Sequence, residues 1–178
     1  TLFLQLKLIN KINNLLKKIG LDFDLFDYKL SGTLEYYDNK TIDLFIDYSL
    51  SLTSGFSSLQ SNAGSMRNSG VELDLNYTVI NSDNFSLDLY GNFNYNKNEI
   101  LDLGQVSEFE SGTSIIREGL SLGSHYVVGW AGVNPANGEP LYYDGDGNVT
   151  NVFSDGNATA NWGSSNPEYT GGYGLRGT

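Results

Sequence analysis

Residues 68–98 hold two runs in which apolar and polar side chains alternate strictly, and no other feature limits the fold so tightly. In the first run Val71, Leu73, Leu75, Tyr77 and Val79 share one side, and Glu72, Asp74, Asn76 and Thr78 the other. A polar turn at Asn81-Ser82-Asp83-Asn84 follows. In the second run Phe85, Leu87, Leu89, Phe93 and Tyr95 oppose Ser86, Asp88, Asn92 and Asn94. A period of two over about ten residues belongs to β-strands with one apolar and one wet face. Strands of that length with tyrosines near their ends also suit a bilayer, the apolar face meeting lipid.

The same period runs upstream. Leu21, Phe23 and Leu25 oppose Asp22 and Asp24, and Asp27-Tyr28 make a tight turn. One long strand is then expected, because Leu30, Gly32, Leu34 and Tyr36 share a phase with Ile42, Leu44, Ile46 and Tyr48. A hairpin at Asp38-Asn39-Lys40 is the alternative, but one long strand leaving an apolar band into water explains the shared phase better. Residues 49–67 are rich in Ser, Gly and Asn and read as a loop. Residues 99–166 read as a long irregular region with strand-like pieces at 124–130 and 139–143, and 167–178 as the start of another strand.

Residues 1–19 are set apart from 20–178. Leu2, Leu4, Leu6 and Leu8 alternate, but Leu8, Ile9, Ile12, Leu15, Leu16 and Ile19 fit a helical stripe opposite Lys11, Lys17 and Lys18. The segment is either a short amphipathic helix ending at Gly20, packed on a core or lying on a membrane, or a distorted strand.

Composition narrows the function. The net charge is −11, and the lysines of the first 20 residues leave 6 basic against 21 acidic side chains in 21–178. Nucleic-acid binding needs clustered Lys and Arg, so that class is excluded. No cysteine is present, hence no disulfide, thiolate metal site or cysteine nucleophile. No apolar run reaches the ~18 residues of a spanning helix, which leaves a strand-built membrane protein open. The chain begins at Thr1 without a signal peptide, which suggests a section of something larger.

Connection lengths alternate: short at 27–28, long at 49–67, short at 81–84, very long at 99–166. Antiparallel membrane barrels have this asymmetry between their two rims, and a soluble sandwich has no reason for it. The faces agree. Asp22, Asp24, Glu35, Asp43, Asp47, Glu72, Asp74 and Asp88 lie on the wet face, and only Asp38 and Lys40 interrupt the apolar one, beyond Tyr36. Tyr36, Tyr37, Tyr77, Tyr90 and Tyr95 read as a girdle at the membrane interface.

Three candidate sites follow. Tyr126, Trp130, Tyr142, Tyr143 and Trp162 lie in the long irregular region, where aromatic faces can pack on sugar rings or against other parts of the loops. Asp144, Asp146, Asn148, Thr150 and Asp155 have the spacing of a calcium loop, but Val149 stands where the loop needs Gly, and Asn/Asp-Gly turns explain the segment equally. Ca²⁺ is thus the one candidate ion, and no other cofactor is expected. His125 has no second His or Cys with which to build a metal site or triad, and reads as structural. The wet-face carboxylates are spaced along successive strands like a solvated face, not like paired glycosidase acids, so no enzymatic activity is expected.

The chain resembles the SusC/RagA family of TonB-dependent outer-membrane transporters of Bacteroidetes. The matching stretches are GLDFDLFDYKLSGTLEYYDNKTIDLF (20–45), NSGVELDLNY (68–77), FSLDLYGNFNYNKNEILDLG (85–104), IREGLSLGSHYVVGWAGVNPANGEPLYYDGDGNVT (116–150) and SSNPEYTGGYG (164–174). His125 departs from the pattern, standing where an aromatic residue is expected. The resemblance implies an all-β fold: an antiparallel meander forming part of a large, 22-stranded transmembrane barrel with long extracellular loops. It also implies import of oligosaccharides or peptides through the bacterial outer membrane. The implied partners are a SusD-like surface lipoprotein, outer-membrane lipid, and the TonB complex, reached through an N-terminal region that these residues do not include. The loop aromatics could equally meet that lipoprotein. The rival reading is a soluble or surface-attached β-sandwich that binds carbohydrate, its apolar faces packed on a second sheet; a β-rich glycoside hydrolase lacks a convincing acid pair.

Overall fold

The computed structural model describes the backbone of residues 3–11, 16–49, 53, 55 and 58–178, and the side chains of 17–44, 53, 55 and 64–178. Alternation is realised as a six-stranded sheet in the order β1 (Phe3–Lys11), β2 (Leu16–Leu25), β3 (Leu30–Ser49), β4 (Ser58–Ser82), β5 (Phe85–Asp102) and β12 (Tyr169–Gly177). β1 to β5 are neighbours in sequence order, as in a meander, β12 lies beside β5, and the sheet is open, with β1 and β12 as its edges. The pairs β1–β2, β2–β3 and β5–β12 are antiparallel.

In the region 1–19 the described residues take the strand alternative and not the helix. Residues 3–11 and 16–19 are extended, and β1 pairs with β2 at nine positions, from Phe3↔Asp24 to Lys11↔Leu16. Leu4, Leu6 and Leu8 stand opposite Phe23, Leu21 and Ile19, so the period of two was the operative signal there. Inter-strand hydrogen bonding along a whole strand outweighs a helical stripe a few residues long. Ile12 and Leu15, which supported the stripe, lie outside the described residues.

β3 is one strand of 20 residues, with no hairpin at Asp38–Lys40. Asp43 within it has φ +59°, a local departure from extended backbone of the kind that re-aims side chains. The side chains of Ile46, Asp47 and Tyr48 lie outside the described residues. The turn before β3 is made by Phe26, Asp27 and Tyr28, all with left-handed φ (55°, 54° and 64°), and is closed by the Lys29 N–H donating to Phe26 O at 3.3 Å. A correction concerns 49–67: residues 58–67 belong to β4, which is 25 residues long. Side-chain composition misled there, because a strand extended beyond an apolar band needs no apolar face.

The chain divides into two compact units, residues 1–44, 64–98 and 167–178, and residues 45–63 and 99–166. The second unit contains two small antiparallel sheets. One joins β6 (Glu108–Ser111), β7 (Ser114–Arg117) and β8 (Ser124–His125); the other joins β9 (Trp130–Val133), β10 (Pro140–Tyr143) and β11 (Val149–Thr150). Its core holds Ile100 and Leu103, with Phe109 and Ile116 packed against them, and Ile115 is also buried.

Among the described residues the first unit has no comparable core. Leu34, Leu75, Leu89 and Phe93 are 42%, 38%, 42% and 44% exposed, although they form the apolar face of the sheet. In a sandwich these side chains would be covered by a second sheet at about 10 Å. Among the described residues none covers them.

Candidate functional site

The six-stranded sheet has two chemically opposite faces. On the apolar face, register aligns Tyr95 with Tyr169, Phe93 with Gly171, and Leu89 with Leu175. Tyr95 and Tyr169 stack with ring centroids 5.0 Å apart. Gly32 lies beneath Phe23 and Leu75; a Cβ there would be 2.6 Å from Phe23 Cζ and 2.5 Å from the Asp74 carbonyl oxygen.

The other face is a hydrogen-bonded polar lattice. Thr33 donates to Asp22 at 3.0 Å, Thr78 to Asp88 at 2.8 Å, and Lys18 pairs with Glu35 at 2.6 Å. Tyr37 Oη donates to Asn96 Oδ1 at 2.8 Å, and Asn98 Nδ2 donates to Asn68 Oδ1 at 2.8 Å. Polar groups tied to one another in this way hold a hydrated surface in a fixed geometry.

Two of the five girdle tyrosines belong to this polar face. Tyr37 lies across Gly70 of β4, and Tyr90 shares its face with Asp88 and Asn92, covering Gly174 of β12 with Arg176 Cζ 5.6 Å from its ring centre. Strand parity decides this, since Tyr36 and Tyr37 are consecutive and must diverge. Tyr36, Tyr77 and Tyr95 remain on the apolar face.

In the second unit the five loop aromatics separate. Trp130 and Tyr142 are register partners on β9 and β10 and meet edge to face at 5.7 Å. Phe153 extends the row, its ring 5.2 Å from Tyr142. Trp130 and Phe153 are 57% and 56% exposed, so the row presents open ring faces. Tyr143, one residue on, points to the other side of β10 and packs on Trp162 at 6.3 Å. Trp162 covers Gly129 and donates its indole N–H to the Val127 carbonyl at 3.1 Å, which makes this pair a clasp for the loop. Tyr126 lines a cleft of about 490 Å³ with Phe153, Glu110, Asp155, Val127 and Val128. Phe153 had no sequence signal: it lies in an irregular stretch with no period to place it.

The acidic loop is a turn. Asp144 Oδ1 accepts the backbone N–H of Asn148 at 2.8 Å and that of Asp146 at 3.0 Å, and Gly147 takes φ +85°. These bonds, that from Asn148 first, hold the Asp144 carboxyl below its ordinary pKa. The carboxylate is thereby committed to its own turn. No group of three or more His, Cys, Asp or Glu side chains placed to hold a metal occurs among the described residues. His125 sits in β8, its backbone N–H donating to Gly163 O at 2.9 Å.

An open antiparallel sheet with one uncovered apolar face and one polar lattice defines a section of a large β-barrel wall. The family described as "TonB dependent receptor-like, beta-barrel" matches residues 17–176, and the chain belongs to it. It is 32% identical over 147 residues to the TonB-dependent receptor SusC of Bacteroides thetaiotaomicron, covering 78% of this chain and 14% of that protein. It is 36% identical over 107 residues to the TonB-dependent receptor P39 of Formosa agariphila, covering 60% and 10%. The solved RagAB peptide transporter superposes with a TM-score of 0.82 at 26% identity, over 99% of this chain and 23% of that one. The chain thus spans a tenth to a quarter of the length of these relatives.

Proposed function

We propose that this chain is a wall-and-loop section of a bacterial outer-membrane transporter that imports large nutrients, oligosaccharides or peptides. The observation that carries the reading is the sheet itself, whose apolar face is uncovered while its opposite face is a fixed polar lattice. Lipid covers the first, and the second lines a hydrated path. A SusD-like lipoprotein closes the outer mouth, and the TonB complex supplies energy through another part of the same protein. The section performs no bond chemistry. The row Trp130–Tyr142–Phe153 is its substrate-contacting element, because open, rigid rings gain contact area with sugar or peptide groups at small entropic cost. The clasp Tyr143–Trp162 supports that row and does not touch substrate.

The test is uptake of labelled oligosaccharides and labelled peptides by cells carrying the full-length protein, its deletion, or Trp130→Ala/Phe153→Ala. Deletion abolishes energy-dependent uptake of one class, and the double variant lowers it roughly tenfold, at about 1 kcal/mol or slightly less per lost aromatic contact. Unchanged uptake of both classes after deletion would sink the reading.

A further inference from the structure

Strand parity and sheet order place a row of cations on the apolar face, one on each of four neighbouring strands: Lys17 on β2, Lys40 on β3, Arg67 on β4 and Lys97 on β5. On the way to the rim with the long connections, Lys17 comes after Ile19, Lys40 after Tyr36, Arg67 after Val71 and Lys97 after Tyr95 on the same face, and on β3 Ile42 and Leu44 stand beyond Lys40. Lys17 stands opposite Asp38, and Arg67 binds that carboxylate through Nε at 2.8 Å and Nη2 at 2.5 Å. Glu99, two positions beyond Lys97, is the other acid on this stretch. Four cations against two acids leave a local surplus in a chain whose net charge is −11 and which has 10 basic residues in all.

The height of the row identifies what it meets. Asp38 and Lys40 lie eight and ten residues beyond Leu30, the first residue of β3 after the short turn. At ~3.4 Å per residue and a tilt of ~40°, that is roughly 20–25 Å of barrel height, the extent of an apolar band. The row therefore stands where hydrocarbon gives way to headgroups. Neighbouring strands are ~4.8 Å apart, so four of them span about 15 Å, the width of one or two lipids.

We propose that Lys17, Lys40, Arg67 and Lys97 form a docking strip for the phosphate groups of anionic lipid in the leaflet at the long-loop rim. The Arg67–Asp38 pair fixes the centre of the strip, and the lysines on either side reach to the phosphates while their alkyl stems stay on the apolar band. The strip rests on the transporter reading, since it requires the apolar face to be in lipid.

The test uses the full-length protein in phosphatidylcholine vesicles, with spin-labelled phosphatidic acid and spin-labelled phosphatidylcholine as probes. Wild type and Lys17→Arg/Lys40→Arg/Lys97→Arg restrict phosphatidic acid roughly fivefold more than phosphatidylcholine, the effect of about one surface cation. Lys17→Gln/Lys40→Gln/Lys97→Gln, which keeps the Arg67–Asp38 pair, brings the ratio close to one without changing the total restricted lipid. Should the triple variant not assemble, the single Lys→Gln variants each show a smaller fall. A wild-type ratio near one, or a ratio unchanged by the Gln substitutions, overturns the proposal. So does its loss in inorganic phosphate but not in chloride of equal ionic strength, which would mark a free-anion site. If neither probe is restricted, the transporter reading fails as well.

Discussion

Glycines under aromatic rings do much of the registering at the residue scale. Tyr37 covers Gly70, Tyr90 covers Gly174 and Trp162 covers Gly129, each ring lying where a Cβ would otherwise stand. Gly70 is the strictest case, because its Cβ would meet both the Tyr37 ring and the Tyr95 carbonyl oxygen, and backbone cannot step aside. Gly70→Ala is therefore expected to destabilise the assembled barrel by about 1–3 kcal/mol. Tyr37→Phe, which loses only the bond to Asn96, costs about 1 kcal/mol. Thermal unfolding of the full-length protein in detergent ranks the two, and the reverse order would refute the lock. Asp144 belongs to the same scale. Its folded pKa is depressed, so the order it gives its turn is complete above the ordinary carboxylate pKa and is lost as pH falls through the folded value. Protection of the Asp146 and Asn148 amides against exchange, taken relative to the unstructured rate at each pH, should fall in Asp144→Ala at neutral pH, and in wild type only in acid.

Faces are the unit of meaning at the scale of the element. Leu73 and Asp74 are adjacent on β4 yet face opposite environments. Leu73→Arg is expected to cost about 2–4 kcal/mol of barrel stability near the bilayer midplane, while Asp74→Asn stays within about 0.5 kcal/mol. Equal effects measured by denaturant unfolding in detergent would contradict the assignment. This division was legible in the sequence wherever alternation was unbroken, as in 71–79 and 85–95. It was not legible at 16–19, where a helical stripe competed, or at 58–67, where an extended strand carries Ser, Gly and Asn. Those two stretches hold Lys17 and Arg67, so half of the cation row was hidden. Tyr37 and Tyr90 were misplaced because a girdle was read from residue type, whereas parity assigns them to the polar face. Trp130 and Tyr142 were legible as candidates. Their separation from Tyr143 and Trp162 needed the β9–β10 register, and Phe153 needed three-dimensional proximity.

At the scale of the whole molecule, the open sheet and the loop unit each fit a transporter wall, and membership of the receptor-barrel family agrees with both. The central claim is that the uncovered apolar face meets lipid and the polar lattice meets water. A lipid-phase photoreactive probe tests it directly, with single-cysteine variants of the full-length protein read at Leu73 and Leu89 against Asp74 and Asp88. Labelling at the two leucine positions with little at the two aspartates is the predicted result. Equal labelling at all four, or none at Leu73 and Leu89 in a protein soluble without detergent, would contradict it.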